Sequence, residues 1–264
     1  MHPFKARLLA ILVPCLTAGP LGAATINWGA ATGITSDLDV STNGTLVRAY
    51  NFGVDGSVTP TTTLNGVEFT NITSGTLGTS HAALDGATEL HTIVPKAGGY
   101  SDTIGFINGR AASGNPYNGM SAEYQSFLST IVYAGGANIT ANPSSARNSY
   151  TFTLGNLTIG QTYAIQIWMN DGRSSSDNRG GTIAGGVTLD ANTNAGNSAG
   201  GVGQYTIGEF TADATTQSFD ITATGSKAVA AQLNGYQLRA IPEPSITLLG
   251  GLGFAIAAAR RRRI

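Results

Sequence analysis

The chain has few charged residues and only a single cysteine. Asp, Glu, Lys and Arg together make up 11% of its 264 residues, against roughly 25% in an average globular protein. Its surface must therefore be solvated by Thr, Ser, Asn and Gln, which excludes a protein built of long Lys/Glu-rich helices. Cys15 lies in the first apolar run, so the rest of the chain has neither a disulfide framework nor thiol redox chemistry. Of three histidines only His81 and His91 fall outside the N-terminal segment. A zinc site needs three or four converging His, Cys or carboxylate ligands, and no metal or other cofactor is expected. Basic patches are missing too. Lys5, Arg7 and Arg260 to Arg263 sit in the terminal segments, and the remainder is mildly acidic, with no face to attract nucleic-acid phosphates.

What the chain does have is glycine, 36 residues of it, and 41% hydrophobic residues with regularly spaced aromatics. Alternation predicts strands at Thr45 to Gly53, Gly66 to Ile72, Glu89 to Val94, Tyr150 to Leu154, Thr162 to Met169, Gln204 to Phe210, Gln217 to Thr222 and Leu233 to Arg239, separated by Gly, Asn, Thr and Pro clusters. Along Thr45 to Gly53 both faces carry apolar groups, as in a strand between two layers. Tyr124, Phe127, Leu128, Ile131 and Val132 follow a helical spacing and predict one short helix near 121–132. The fold class expected is all-β, a β-sandwich of jelly-roll type with that one helix.

The two ends differ from the body. Residues 1–24 read as a secretory signal, with Lys5 and Arg7 before the apolar Leu8 to Leu16 and a small-residue cleavage site at Gly22-Ala23-Ala24. At the other end the uncharged run Ile246 to Ala259 is followed at once by Arg260-Arg261-Arg262-Arg263. As a helix its fourteen residues span about 21 Å, a short transmembrane segment. The arginines act as a stop-transfer block that holds the C-terminus in the cytoplasm and leaves residues 25–241 outside. Pro242-Glu243-Pro244, the apolar run and the basic end, in that order, resemble the C-terminal signal of PEP-CTERM proteins. That resemblance implies sorting at residues 242–264 by an exosortase-type membrane protease after Sec-type export. It also implies a membrane-anchored intermediate bound for the cell envelope or the extracellular space.

Within the body, Leu157-Thr158-Ile159-Gly160-Gln161-Thr162-Tyr163 resembles the Leu-x-Pro-Gly-x-x-Tyr corner of fibronectin-like sandwiches, with Ile159 in the proline position. The resemblance implies a tyrosine hydroxyl tying a strand to the loop before it. Gly196-Asn197-Ser198-Ala199-Gly200 fits the nucleophile-elbow pattern but lacks the strand before and the helix after that the chemistry needs. No catalytic residue is assigned. His81 and His91, ten residues apart in a strand-and-turn region, read as surface polar residues. Asp171, Asp177 and Asn178 share a loop that could gather oxygen ligands for calcium, although the spacing fits no EF-hand.

The most suggestive segment is Thr162 to Arg179. If Tyr163, Ile165, Ile167 and Met169 face the core, then Trp168 lies on the other face of the strand, just before Asn170, Asp171, Arg173, Asp177 and Arg179. An exposed indole beside such groups suits sugar rings, and these six residues form the candidate glycan-binding set, with an extracellular polysaccharide as partner. Covered by the helix or by another loop, Trp168 would pack as core instead. The first expectation for the body is a non-enzymatic envelope or matrix protein, the second a glycan-binding module, the third a polysaccharide-active enzyme.

Overall fold

A computed structural model describes residues 24–54, 61–73, 81–85, 88–96, 104–108, 117–134, 149–172, 179–193, 201–225 and 231–243. In chain order the first strands are β1 (Asn27–Trp28), β2 (Thr32–Gly33), β3 (Thr45–Val54), β4 (Thr61–Leu64), β5 (Val67–Thr73), β6 (His81–Asp85), β7 (Thr88–Pro95) and β8 (Ile104–Asn108). Helix α1 (Ala122–Leu128) and β9 (Thr130–Ala134) follow. The later strands are β10 (Ser149–Leu154), β11 (Thr162–Met169), β12 (Gly180–Ile183), β13 (Val187–Asp190), β14 (Gln204–Thr211), β15 (Gln217–Thr224), β16 (Ala231–Leu233) and β17 (Gly235–Ala240).

The largest sheet runs β1-β14-β11-β17-β3-β5-β4, with β2 also on β14. A second sheet runs β13-β12-β15-β10-β7-β6, and a third β16-β9-β8. Central strand β17 is antiparallel to both its neighbours, β11 and β3, while β3 and β5 run parallel. Among the described residues the fold is all-β with one short α-helix. The jelly-roll subtype does not follow from this strand order, whose large sheet contains a parallel pair.

The alternation of β11 explains the layering. Tyr163, Ile165, Ile167 and Met169 join Tyr50, Phe52, Tyr236 and Leu238 from the large sheet and Ile93, Phe152, Phe219 and Ile221 from the second in one buried cluster. This is the core of a two-sheet sandwich, formed by apolar groups from facing sheets. The opposite face of the large sheet is not left to solvent. Ala49, Leu64, Phe69 and Trp168 pack there against Tyr124, Phe127 and Leu128 of α1 in a second buried cluster. Strand β3 thus lies between two layers, as its doubly apolar pattern implies.

Helix α1 begins where expected: the Ser121 hydroxyl accepts a hydrogen bond from the Tyr124 amide at 3.0 Å, satisfying one of the free amides of the first turn. It ends earlier than expected, at Leu128. Ile131 and Val132 lie instead in β9, where Val132 is opposite both Phe106 and Leu233. The β-branched run Thr130-Ile131-Val132 favours a strand, and pairing on both edges outweighs the helical spacing.

The tyrosine corner forms. The Thr158 amide donates to the Tyr163 hydroxyl at 2.9 Å, and Gly160 takes φ +86°, a conformation open to glycine at little cost.

Candidate functional site

Trp168 projects from the outer face of β11, as its place in the strand requires, but it is wholly buried (0% exposed). Phe127 and Phe69 meet its ring edge-on, with centroids at 5.3 and 5.8 Å. Its Nε1 donates to the Tyr124 hydroxyl at 3.1 Å, and that hydroxyl reaches Asp39 Oδ2 at 3.3 Å. The expected exposed stacking platform is therefore corrected to a core side chain. The reason is that α1 closes over this face of the sheet and satisfies the one polar atom of the indole.

Asn170 and Asp171 are also fully buried. The Asn170 amide group donates to the Leu128 carbonyl at 2.9 Å and its Oδ1 accepts from the Gly203 amide at 2.8 Å. Its backbone N–H donates to Asn234 Oδ1 at 2.5 Å. Asn234 Nδ2 in turn donates to the Leu128 and Thr130 carbonyls at 3.1 and 2.8 Å. Two asparagines thus satisfy carbonyls at the helix C-terminus, which a helix leaves without intrahelical partners, and bind it to β11 and to the link between β16 and β17. Asp171 accepts from Gln232 Nε2 at 3.0 Å and pairs with Arg179 at 3.6 Å. Burial pushes the Tyr117 hydroxyl, 3.2 Å from Asn170 Oδ1, up from 10.0 to about 12, with the Asp171 charge adding to the rise and the Asn170 bond opposing it.

Of the candidate glycan set, then, Trp168, Asn170 and Asp171 are interior, and Arg179 is half-buried beside Asp171. Arg173 and Asp177 lie outside the described residues, as do Asn178 and the Gly196 to Gly200 elbow. Among the described residues no three His, Cys, Asp or Glu side chains are grouped to hold a metal. Arg179 also lines a groove of about 260 Å³ with Thr188, Asp190, Gln204 and Thr224. Sequence reasoning missed this groove, because its walls come from separate strands with no shared motif.

His91, expected at the surface, is buried in the sandwich core. Its Nδ1 lies 2.9 Å from the Tyr236 hydroxyl, which also accepts from Arg48 Nε at 3.3 Å. Arg48 donates on to the Gly155 carbonyl at 2.7 Å. The ring of His91 stacks on Phe152 at 5.8 Å, so it packs within the aromatic core while keeping its polar contact to Tyr236. The side chain of His81 lies outside the described residues.

At the far end of the large sheet, β17 runs out at Ala240. The Ile241 amide donates to the Thr162 carbonyl at 2.9 Å and its carbonyl accepts from Gln161 Nε2 at 2.9 Å. Pro242 and Glu243 follow immediately and are exposed. Residues 240–263 match the PEP-CTERM protein-sorting motif. The chain carries a PEP-CTERM sorting tail. That tail marks an exported protein that passes through the membrane, where exosortase-type processing acts. Pro244 and Arg260 to Arg263 lie outside the described residues, as do the apolar run and the N-terminal segment 1–23. Among the described residues no helix is long and apolar enough to cross a membrane. Comparison with curated proteins and with solved structures found no match to the chain.

Proposed function

We propose that residues 25–241 form a non-enzymatic sandwich body of the cell envelope or extracellular matrix, delivered there by the PEP-CTERM tail. The observation that carries this reading is the sorting motif joined directly to the last strand of the body. The buried polar side chains support it, because Asn170, Asn234, Gln166 and Gln237 are spent on joining segments of the fold. On this reading residues 1–24 direct Sec-type export, and the apolar run with Arg260 to Arg263 holds a membrane intermediate. The Pro242-Glu243-Pro244 segment then lies at the outer membrane face, accessible to an exosortase-type protease.

The test is fractionation of the native host with an epitope in the body. Replacing Pro242, Glu243 and Pro244 by alanine should leave export intact and accumulate membrane-bound precursor, and deleting residues 242–264 should release the body unsorted. Wild-type rate and size of the extracellular product in the alanine variant would reduce the tail to a plain anchor.

A glycan-binding role is the second reading. One observation favours it, the groove lined by the planar polar groups of Arg179, Asp190 and Gln204 and the hydroxyl of Thr224, which suit sugar hydroxyls. A glycan array with the exported protein, comparing wild type with Asp190→Ala, tests it, and equal binding or none by both sets it aside.

A further inference from the structure

We propose that the end of the sandwich from which the tail leaves is itself a docking surface for the membrane-embedded protein that processes the tail, centred on Ile159. This rests on the sorting reading above.

The first argument is reach. Ile241 is fixed by hydrogen bonds to Thr162 and Gln161, and its side chain lies against Gly44, where a Cβ would meet the Ala240 carbonyl oxygen at 2.5 Å. Only residues 242–245 separate Ile241 from the apolar run that begins at Ile246. Fully extended, the five residue steps from Ile241 to Ile246 cover at most about 18 Å. A partner that grips Pro242-Glu243-Pro244 at the bilayer must therefore abut the folded end of the body.

The second argument is what that end presents. Its loops are tied to one another: the Gly160 amide donates to the Ala212 carbonyl at 2.7 Å and the Leu157 amide to the Thr215 carbonyl at 3.0 Å. Arg239 donates to the Asn43, Thr42 and Gly44 carbonyls. On this rigid platform Ile159 stands 62% exposed, two residues from the glutamine that holds Ile241. An apolar side chain held mostly outward beside a tyrosine corner has little order left to lose on binding.

Charge separates two occupants. Within 41–44, 155–161, 212–216 and 239–243 the one Lys or Arg is Arg239, whose guanidinium is spent on backbone carbonyls, while Asp213 and Glu243 are acidic. An anionic bilayer surface attracts basic segments, so this end suits a protein with an apolar contact instead.

Pulse-chase processing in the native host tests the proposal, with four full-length chains: wild type, Ile159→Asp, a ten-residue Gly/Ser insertion after Ile241, and the triple alanine variant of Pro242-Glu243-Pro244. Ile159→Asp and the insertion should each slow conversion of precursor by about fivefold or more, the loss of one useful interface contact. Protease resistance of the exported Ile159→Asp body should stay at the wild-type level. Wild-type conversion of Ile159→Asp and of the insertion, with the triple variant blocked, would overturn the docking surface and leave sorting standing. Wild-type conversion of the triple variant would overturn both. Flotation of wild type, but not of Ile159→Asp, with anionic vesicles would assign the surface to lipid and overturn the protein partner.

Discussion

The indole Nε1 of Trp168 and the hydroxyl of Tyr124 meet at 3.1 Å between the large sheet and helix α1, and the hydroxyl continues to Asp39 in the link between β2 and β3. Three parts of the chain are thereby tied at one buried point. Trp168→Ala should cost roughly 3–5 kcal/mol, as truncation of a buried tryptophan does, and Tyr124→Phe about 1 kcal/mol. Urea unfolding of the exported body measures both. A Trp168→Ala body as stable as wild type would show that the helix does not hold this face.

Two buried tyrosines should respond in opposite directions to loss of the hydroxyl. That of Tyr150 finds no partner among the described residues, whereas that of Tyr236 meets both His91 and Arg48. Tyr150→Phe should be neutral or stabilising by up to about 1 kcal/mol, and Tyr236→Phe should cost roughly 1–3 kcal/mol. Equal losses in denaturant midpoint would contradict this assignment of polar contacts.

Asn234→Ala removes the bonds to the Leu128 and Thr130 carbonyls and to the Asn170 amide. Leaving such groups buried without partners should cost about 2–3 kcal/mol. Hydrogen exchange should show faster opening of α1 and of the start of β17 before the rest of the sandwich. Uniform acceleration across both sheets would show instead that the asparagine does not act locally.

Alkali should unfold the body. Burial raises the hydroxyls of Tyr124, Tyr150 and Tyr236 well above 10.0, and that of Tyr117 to about 12. The unfolded chain releases these protons first, so stability is complete below about pH 10 and falls as pH rises from there through about 12. A phenolate absorbance titration should show a late-titrating group of tyrosines that moves to near 10.0 in denaturant. Titration of all tyrosines together in the folded body would refute it.

Much of this architecture was readable from residue patterns. Tyr163, Ile165, Ile167 and Met169 alternate against Ala164, Gln166 and Trp168, and the two sets do face different layers. The corner at Tyr163 was readable from local residue types, because its hydrogen bond spans five positions. The cover over Trp168 was not, because it comes from a helix more than forty residues away. Asn170 and Asn234 look in composition like any other surface asparagine, and only the carbonyls at the end of α1 make them interior. His91 is hidden for a related reason: its aromatic neighbours come from β3, β10 and β17. The tail was the most readable part, since its order of residues is its signal.

Strand β17 also bears on when the protein can fold. Arg239 sits opposite Leu46 and Ala240 opposite Thr45, so the last strand of the body is the hydrogen-bonded neighbour of its first long one. Until β17 is in place, β11 and β3 share no backbone hydrogen bonds and the large sheet is not continuous. Pairings so distant in sequence are slow, because loop closure is costly before any contact rewards it. The large sheet can accordingly be completed only when the residues just before the sorting motif are available to pair, so its closing strand and the start of the tail are neighbours in the order of folding as well as in the chain.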